Sequence, residues 1–305
     1  MRIVVLGEGM VELSREAGGG WRVGYGGDSL NTAIHLARFG MNVAYASALG
    51  TDPFSEDLRA AWAAEGLDTS LVLADPNRLP GIYAISTAAA GERSFHYWRS
   101  ESAARGMFAL PASDDMLDAA IAADLLYFSL ISLAILPPEG RSKLFGLAHS
   151  VRARGGKVAF DSNYRPRLWG SKAEAQAIRD TALRCCDIVL PTLDDERALS
   201  ACVDAAAAAG HCMALGAGEV AVKLGAQGCY LGNGQVVMPP AVLEPVDTSG
   251  AGDAFNAGYL HARMNGATPA AAALSGHRLA AWVIAQPGAI PGRMVLAPYG
   301  SASAL

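Results

Sequence analysis

Short apolar runs alternating with longer helical stretches constrain the fold of this chain more than any other feature. Ile3–Leu6, Val43–Ala48, Leu125–Ser129, Val158–Asp161, Ile188–Leu190 and Val220–Leu224 read as strands. Leu30–Phe39, Pro53–Glu65, Glu139–Arg154, Lys172–Cys185, Ala254–Met264 and Pro269–Ala285 read as helices. Strands separated by helical crossovers pair in parallel, with helices covering both faces, so an α/β fold with a mainly parallel central sheet is predicted. Asp52-Pro53 is a strong helix start, Asp as cap and Pro at the first helical position. The Ala205–Ala209 run reads as plain helix, since Ala has the best helix propensity.

Two segments break the alternation. Gly81–Thr87 and Arg93–Trp98 are rich in β-formers and joined by a short turn containing Gly91, which predicts a hairpin. Glu12–Tyr25 is glycine-rich and reads as irregular, with Trp21 and Val23 as candidate strand positions. Strands without helical crossovers predict a small sheet projecting from the main body.

The run Asp247-Thr248-Ser249-Gly250-Ala251-Gly252-Asp253 opens an apolar helix. The first-turn amides of a helix have no intrahelical partner, and the macrodipole adds partial positive charge there. Glycines just upstream let a phosphate approach the backbone without meeting a Cβ. Asp253 then lies beside an anion site, placed to take a proton from a hydroxyl attacking phosphorus. Aspartate also caps helices, but two acids bracketing Thr-Ser-Gly-Ala-Gly favour the phosphate reading.

Asp-Thr-x-Gly-Ala-Gly-Asp resembles the C-terminal signature of the ribokinase-like (PfkB) carbohydrate kinases. Their N-terminal signature, a Gly-Gly pair followed by Asn on a helix, is matched by Gly26-Gly27-Asp28-Ser29-Leu30-Asn31. The resemblance runs from about residue 3 to about residue 292. It implies one ribokinase-like kinase domain over 1–305, with lid segments at about 12–27 and 81–99 forming a small β-sheet over the sugar. Other nucleotide motifs are weak or missing. Gly7-Glu8-Gly9 follows the first strand, but Glu12 occupies the place of the third glycine of a dinucleotide fingerprint. No Gly-Lys-Ser/Thr sequence supplies a P-loop.

Phe95-His96-Tyr97-Trp98-Arg99 lies on the second strand of the hairpin, and strand alternation puts Tyr97 and Arg99 on one face, with His96 and Trp98 opposite. Asp161-Ser162-Asn163-Tyr164-Arg165-Pro166-Arg167-Leu168-Trp169 begins at the carboxyl end of a central strand, where open α/β sheets bind ligands. Two guanidinium forks suit a carboxylate, which a neutral sugar does not require. These segments and Ser132–Leu136 resemble the branch of the family that phosphorylates the sugar acid 2-keto-3-deoxygluconate on its 6-hydroxyl. By that resemblance Gly27, Asp28, Asn31, Tyr83, Tyr97, Arg99 and Arg165 line the sugar-acid pocket. Asn163, Arg165, Lys223, Gly225 and Gly228 approach ATP, with Gly250, Ala251 and Gly252 forming the anion hole and Asp253 the base. Asp28 and Tyr83 also admit structural readings, as a helix cap and as hairpin packing. So does Lys223–Gly228, as a turn between two strands.

The resemblance implies Mg²⁺ as a further cofactor, and a monovalent cation such as K⁺ near Asp247 and Thr248. The wider family's Asn-x-x-Glu is replaced here by Thr192-Leu193-Asp194-Asp195, followed by Glu196. Asp195 takes the glutamate position by spacing and is expected to hold the metal through water. The acidic trio also reads as the first turn of a helix, where acids are favoured.

Composition narrows the partners. With 51% hydrophobic and 17% charged residues the chain reads as soluble and globular. A net charge of −5 speaks against nucleic acid or an anionic membrane as partner. Arg2-Ile3-Val4-Val5-Leu6 starts a strand directly, so no cleavable leader is expected. The five cysteines lack any Cys-x-x-Cys spacing and read as reduced thiols of a cytoplasmic protein. Homo-oligomers through the lid sheet are expected by resemblance.

Overall fold

The computed structural model describes residues 1–15, 19–87, 93–294 and 297–300. Its strands are β1 (Arg2–Leu6), β2 (Met10–Arg15), β3 (Trp21–Gly26), β4 (Asn42–Leu49), β5 (Val72–Ala74), β6 (Ile82–Thr87) and β7 (Arg93–Trp98). They continue with β8 (Leu125–Ser129), β9 (Lys157–Asp161), β10 (Ile188–Val189), β11 (Glu219–Lys223), β12 (Cys229–Leu231) and β13 (Val236–Val237). A nine-stranded sheet runs in the order β13-β12-β11-β10-β9-β8-β1-β4-β5. Its strands from β11 to β5 are parallel, while β12 and β13 add antiparallel at one edge.

Period-two alternation in these strands feeds two cores, one on each face. Val4, Leu6, Leu126, Phe128, Val158 and Phe160 pack into one, beneath helices Pro138–Ala153 and Lys172–Arg184. Ile3, Val5, Leu125, Tyr127 and Ala159 enter the other, beneath helices Asp28–Arg38, Ala251–Met264 and Pro269–Ile284. The expected central sheet, with helices on both faces, is therefore present. Helix Pro53–Ala64 begins as its sequence implies, with the Asp52 side chain accepting from Ser55 N at 3.2 Å. The alanine run lies in helix Ala205–Ala214.

A separate four-stranded sheet has the order β3-β2-β6-β7. The hairpin β6–β7 is antiparallel as expected, although its turn at Gly91 lies outside the described residues. The reading of Glu12–Tyr25 as irregular is corrected. β2 and β3 pair antiparallel from Met10↔Gly26 to Arg15↔Trp21, and β2 joins the hairpin through parallel pairing with β6. The glycines masked this regularity: Gly24 and Gly26 sit in β3 with no strand signal of their own. At Gly26 a Cβ would lie 2.2 Å from the Tyr83 hydroxyl, so close packing across the sheet selects glycine there.

Candidate active site

The carboxyl ends of the parallel strands and the first turns of two helices converge on one cleft of about 690 Å³. Its roof comes from the small sheet, with Tyr83 on β6, Phe95 and Tyr97 on β7, and Arg99 just beyond. Its floor is formed by Gly27, Asp28 and Asn31 at the start of helix Asp28–Arg38, and by Gly250–Asp253 at the start of helix Ala251–Met264. A second cavity of about 400 Å³ is mainly apolar and lies behind that second helix start. Gly225, Ala226, Gly228, Val242, Leu243 and Ile284 contribute to it. The two cavities share Thr192, Lys223, Thr248, Ala251 and Gly252 as a common wall.

Local backbone geometry explains the glycines of the two motifs. Gly250 is the residue preceding the helix and has φ +71°; a Cβ there would lie 2.6 Å from the Cβ of Ala289. Gly27 has φ +153°, and a Cβ would meet the carbonyl oxygen of Glu8 at 2.2 Å. Gly228 turns the chain from β11 into β12 at φ +98°. Beside it Gly225, at φ +59°, leaves open space toward the apolar cavity.

Asp253 is 8% exposed, and its Oδ2 accepts a hydrogen bond from Asn31 Nδ2 at 2.8 Å. Burial, reinforced by the nearby charge of Asp28, raises its carboxyl pKa to about 8; the Asn31 bond opposes the shift. Asp28 is raised too, chiefly by burial, and its Oδ2 accepts from Asn163 Nδ2 at 3.3 Å. Tyr83 donates to Glu12, and its ring stacks on Tyr97 with centroids 5.9 Å apart.

The two arginines differ in kind. Arg99 is 8% exposed and ion-paired with the buried Glu8 at the end of β1. Arg165 is half-exposed; one of its N–H groups donates to the Tyr164 carbonyl at 2.9 Å and reaches Asp195 Oδ1 at 3.5 Å. Both line the larger cleft. Asn163 lines it as well, Lys223 belongs to the wall between the two cavities, and Gly225 and Gly228 line the apolar cavity.

The acidic trio is a helix start, in the segment Leu193–Leu199, and its members point three ways. Asp194 is exposed and pairs with Arg197, while Glu196 is buried against Arg179. Asp195 lines the cleft, and burial raises its pKa to about 6, against the lowering effect of Arg165.

Sequence reasoning did not single out Glu8, Glu12, Asp161 or Asn256. Glu8 and Asp161 carried a readable signal, being acids at the carboxyl ends of β1 and β9, the edge where open sheets bind ligands. Glu12 lay in the stretch misread as irregular. Asn256 depends on a helix face that only the packing reveals.

Comparison with known proteins agrees with this geometry. The sequence profile of the pfkB family carbohydrate kinases matches residues 2–294. The 2-dehydro-3-deoxygluconokinase of Escherichia coli K12 is 45% identical over 299 residues, covering 95% of this chain and 96% of that protein. The crystal structure of a PfkB protein from Polaromonas sp. JS666 superposes with a TM-score of 0.84 at 28% identity, over 93% of this chain and 96% of that one. That of aminoimidazole riboside kinase from Salmonella enterica, complexed with aminoimidazole riboside and an ATP analogue, gives 0.81 at 25% identity, over 95% of each. Sequence signatures, fold and paired cavities agree: the chain belongs to the pfkB family of carbohydrate kinases.

Proposed function

We propose that the enzyme transfers the γ-phosphoryl group of ATP to the 6-hydroxyl of 2-keto-3-deoxy-D-gluconate. The observation that carries this reading is the larger cleft, which the Asp253 carboxylate lines together with two arginines and two stacked tyrosines. A sugar acid lying across it meets cations at its carboxylate end and Asp253 at its terminal hydroxyl. The name of the E. coli relative and the carboxylate-sized pairing capacity of Arg165 favour this acceptor over a neutral sugar.

ATP fits the second cavity, with its base against the apolar wall and its phosphates directed to the shared Ala251–Gly252 seam. The Salmonella kinase complex with an ATP analogue supports the use of ATP by analogy. The first-turn amides of the helix, of which that of Ala251 also donates to the Thr248 carbonyl at 3.3 Å, then face the transferred group. Asp253, as general base, accepts the hydroxyl proton while the hydroxyl oxygen attacks phosphorus. Its raised pKa makes its carboxylate a stronger base than an exposed aspartate. Gly27, Asp28 and Asn31 hold the sugar hydroxyls, and the small sheet serves as the lid that excludes water.

Magnesium suits the donor set, since it takes one or two carboxylates together with phosphate and water. Asp195 is the carboxylate that would hold it, through water, and Asp161 Oδ1 is a buried oxygen without a donor among the described residues. Bound there, it supplies positive charge to the phosphates. A monovalent cation such as K⁺ is proposed near Asp247 and Thr248 on the family resemblance; the Asp247 carboxylate accepts backbone N–H groups from Ser249 and Gly288 and so holds the loop that precedes the helix start.

Exposed Trp21, Val23 and Trp98 on the small sheet support self-association through it. Five free thiols suit a cytoplasmic location. Phosphorus NMR of the product formed from Mg-ATP and 2-keto-3-deoxygluconate tests the reaction. A phosphorus signal split by the two protons of C6 is expected. Free inorganic phosphate without a sugar phosphate would contradict the assignment.

A further inference from the structure

Lys223 ends β11 at the wall that the two cavities share, and its side chain is only 8% exposed. Its ammonium donates to Asp161 Oδ2 at 3.1 Å and to Asn256 Oδ1 at 3.0 Å. Asn256 in turn donates to the same Asp161 oxygen at 2.8 Å and to the Tyr127 hydroxyl at 3.1 Å. An ammonium has three hydrogens, and two are engaged among the described residues. A Cβ placed on Gly252 would lie 3.6 Å from Lys223 Nζ, so the ammonium stands directly beside the anion hole.

Stability alone does not account for this lysine. Replacing a buried ion pair with well-packed apolar side chains is often neutral or stabilising. A buried cation retained at the meeting point of two ligand cavities, with a hydrogen to spare, suits an anion that arrives with substrate.

We propose that Lys223 is a catalytic residue that binds the γ-phosphoryl group during transfer, held on target by Asp161 and Asn256. In the transfer the acceptor oxygen forms its bond to the γ-phosphorus as the bond to the β,γ-bridging oxygen breaks. The hydroxyl proton passes to Asp253, and ADP departs with the bridging electron pair. Lys223 transfers no proton. Its charge follows the equatorial oxygens, over which negative charge is spread in the transition state. The helix amides alone carry only partial charge, and Lys223 adds a full one within the water-poor seam. Asp161 fixes the ammonium but its own Oδ1 accepts no hydrogen bond among the described residues, so the pair is not closed upon itself.

The inference rests on the kinase reading, though not on the identity of the acceptor. It is tested with Lys223→Met and with the double variant Lys223→Met/Asp161→Asn, which leaves no unpaired buried charge. Expected is a loss of about 10²–10³-fold in kcat in both, the usual effect of removing one transition-state donor. Binding of Mg-ADP should stay within about 2-fold of wild type, while the preference for Mg-ATP over Mg-ADP collapses. The double variant should melt close to wild type and remain slow. Turnover within about 3-fold of wild type in either folded variant, or equal weakening of ATP and ADP, would overturn the role. If wild type itself turned over none of the sugar acids, the acceptor assignment would fail, while the ATP-to-ADP binding ratio would still decide Lys223.

Discussion

Asn31 Nδ2 donates to Asp253 Oδ2 at 2.8 Å, so two signature motifs 222 residues apart in the chain meet in one hydrogen bond. The bond joins the first turns of two helices that lie side by side on one face of the sheet. It also holds the Asp253 carboxylate in the larger cleft, beside the helix start at Gly250–Gly252. The contact positions the carboxylate and partly offsets the rise in its pKa that burial causes, because the donor stabilises the charged form.

Asp253→Asn should bind both substrates and lose about 10²–10⁴-fold in kcat, the usual contribution of a general base. Steady-state rates with binding measured separately by calorimetry check this. Near-normal turnover would remove Asp253 from the base role.

The pH dependence follows from the same group. Its folded pKa of about 8 lies above the ordinary value of 3.8, so the folded state holds the proton more tightly. The associated stability is fully present below about pH 4 and is lost as pH rises through about 8. Asp253→Asn should therefore melt higher than wild type at pH 8.5, with the difference shrinking toward pH 4.5. In wild type, kcat/KM for the acceptor should fall as pH drops below about 8. Asn31→Leu, which removes the opposing hydrogen bond, should move that limb to higher pH.

The two arginines should separate by readout. Arg165→Met is expected to raise KM for the sugar acid by about 10–100-fold with little change in melting temperature, since a half-exposed guanidinium contributes little to folding. Arg99→Ala strands the buried Glu8 charge and should cost about 3–5 kcal/mol of stability. Glu8→Gln in the same chain should recover part of the loss. Thermal melts of the three variants distinguish these effects from substrate affinity.

Gly250→Ala must place a Cβ 2.6 Å from that of Ala289 at φ +71°, which forces the loop or the helix start to shift. The left-handed conformation alone costs about 1–2 kcal/mol for a non-glycine residue. A lowered kcat and a raised KM for ATP are expected, with the sugar-acid KM little changed. Wild-type kinetics would show that the anion hole tolerates the shift.

Asp195→Asn should raise the Mg²⁺ concentration needed for half-maximal rate by about 10–100-fold, comparable to the loss of an outer-shell metal partner. An unchanged requirement would direct attention to Asp161.

The central sheet was legible because its strands are buried on both faces and so read as unbroken apolar runs between helices. β8 was read residue for residue, whereas β12 and β13 are too short for a pattern to declare itself. The motifs pointed to the helix start at Gly250–Asp253, because glycine at positive φ and a following acid leave a trace in sequence. Arg99 and Arg165 were equally visible as residues, but the pairing of Arg99 with Glu8 was not, since the two lie 91 positions apart and only packing joins them. The same holds for Lys223 and Asp161, whose separation in sequence hides a shared seam.

The most direct test is ADP release with Mg-ATP across 2-keto-3-deoxygluconate, its galactonate epimer, gluconate, ribose and fructose. A kcat/KM at least about 10²-fold higher for the keto-deoxy acids than for the neutral sugars is predicted, because a site built to pair a polar group of its substrate rejects analogues that lack it. Preference for ribose or fructose would contradict the sugar-acid account while leaving the family assignment in place.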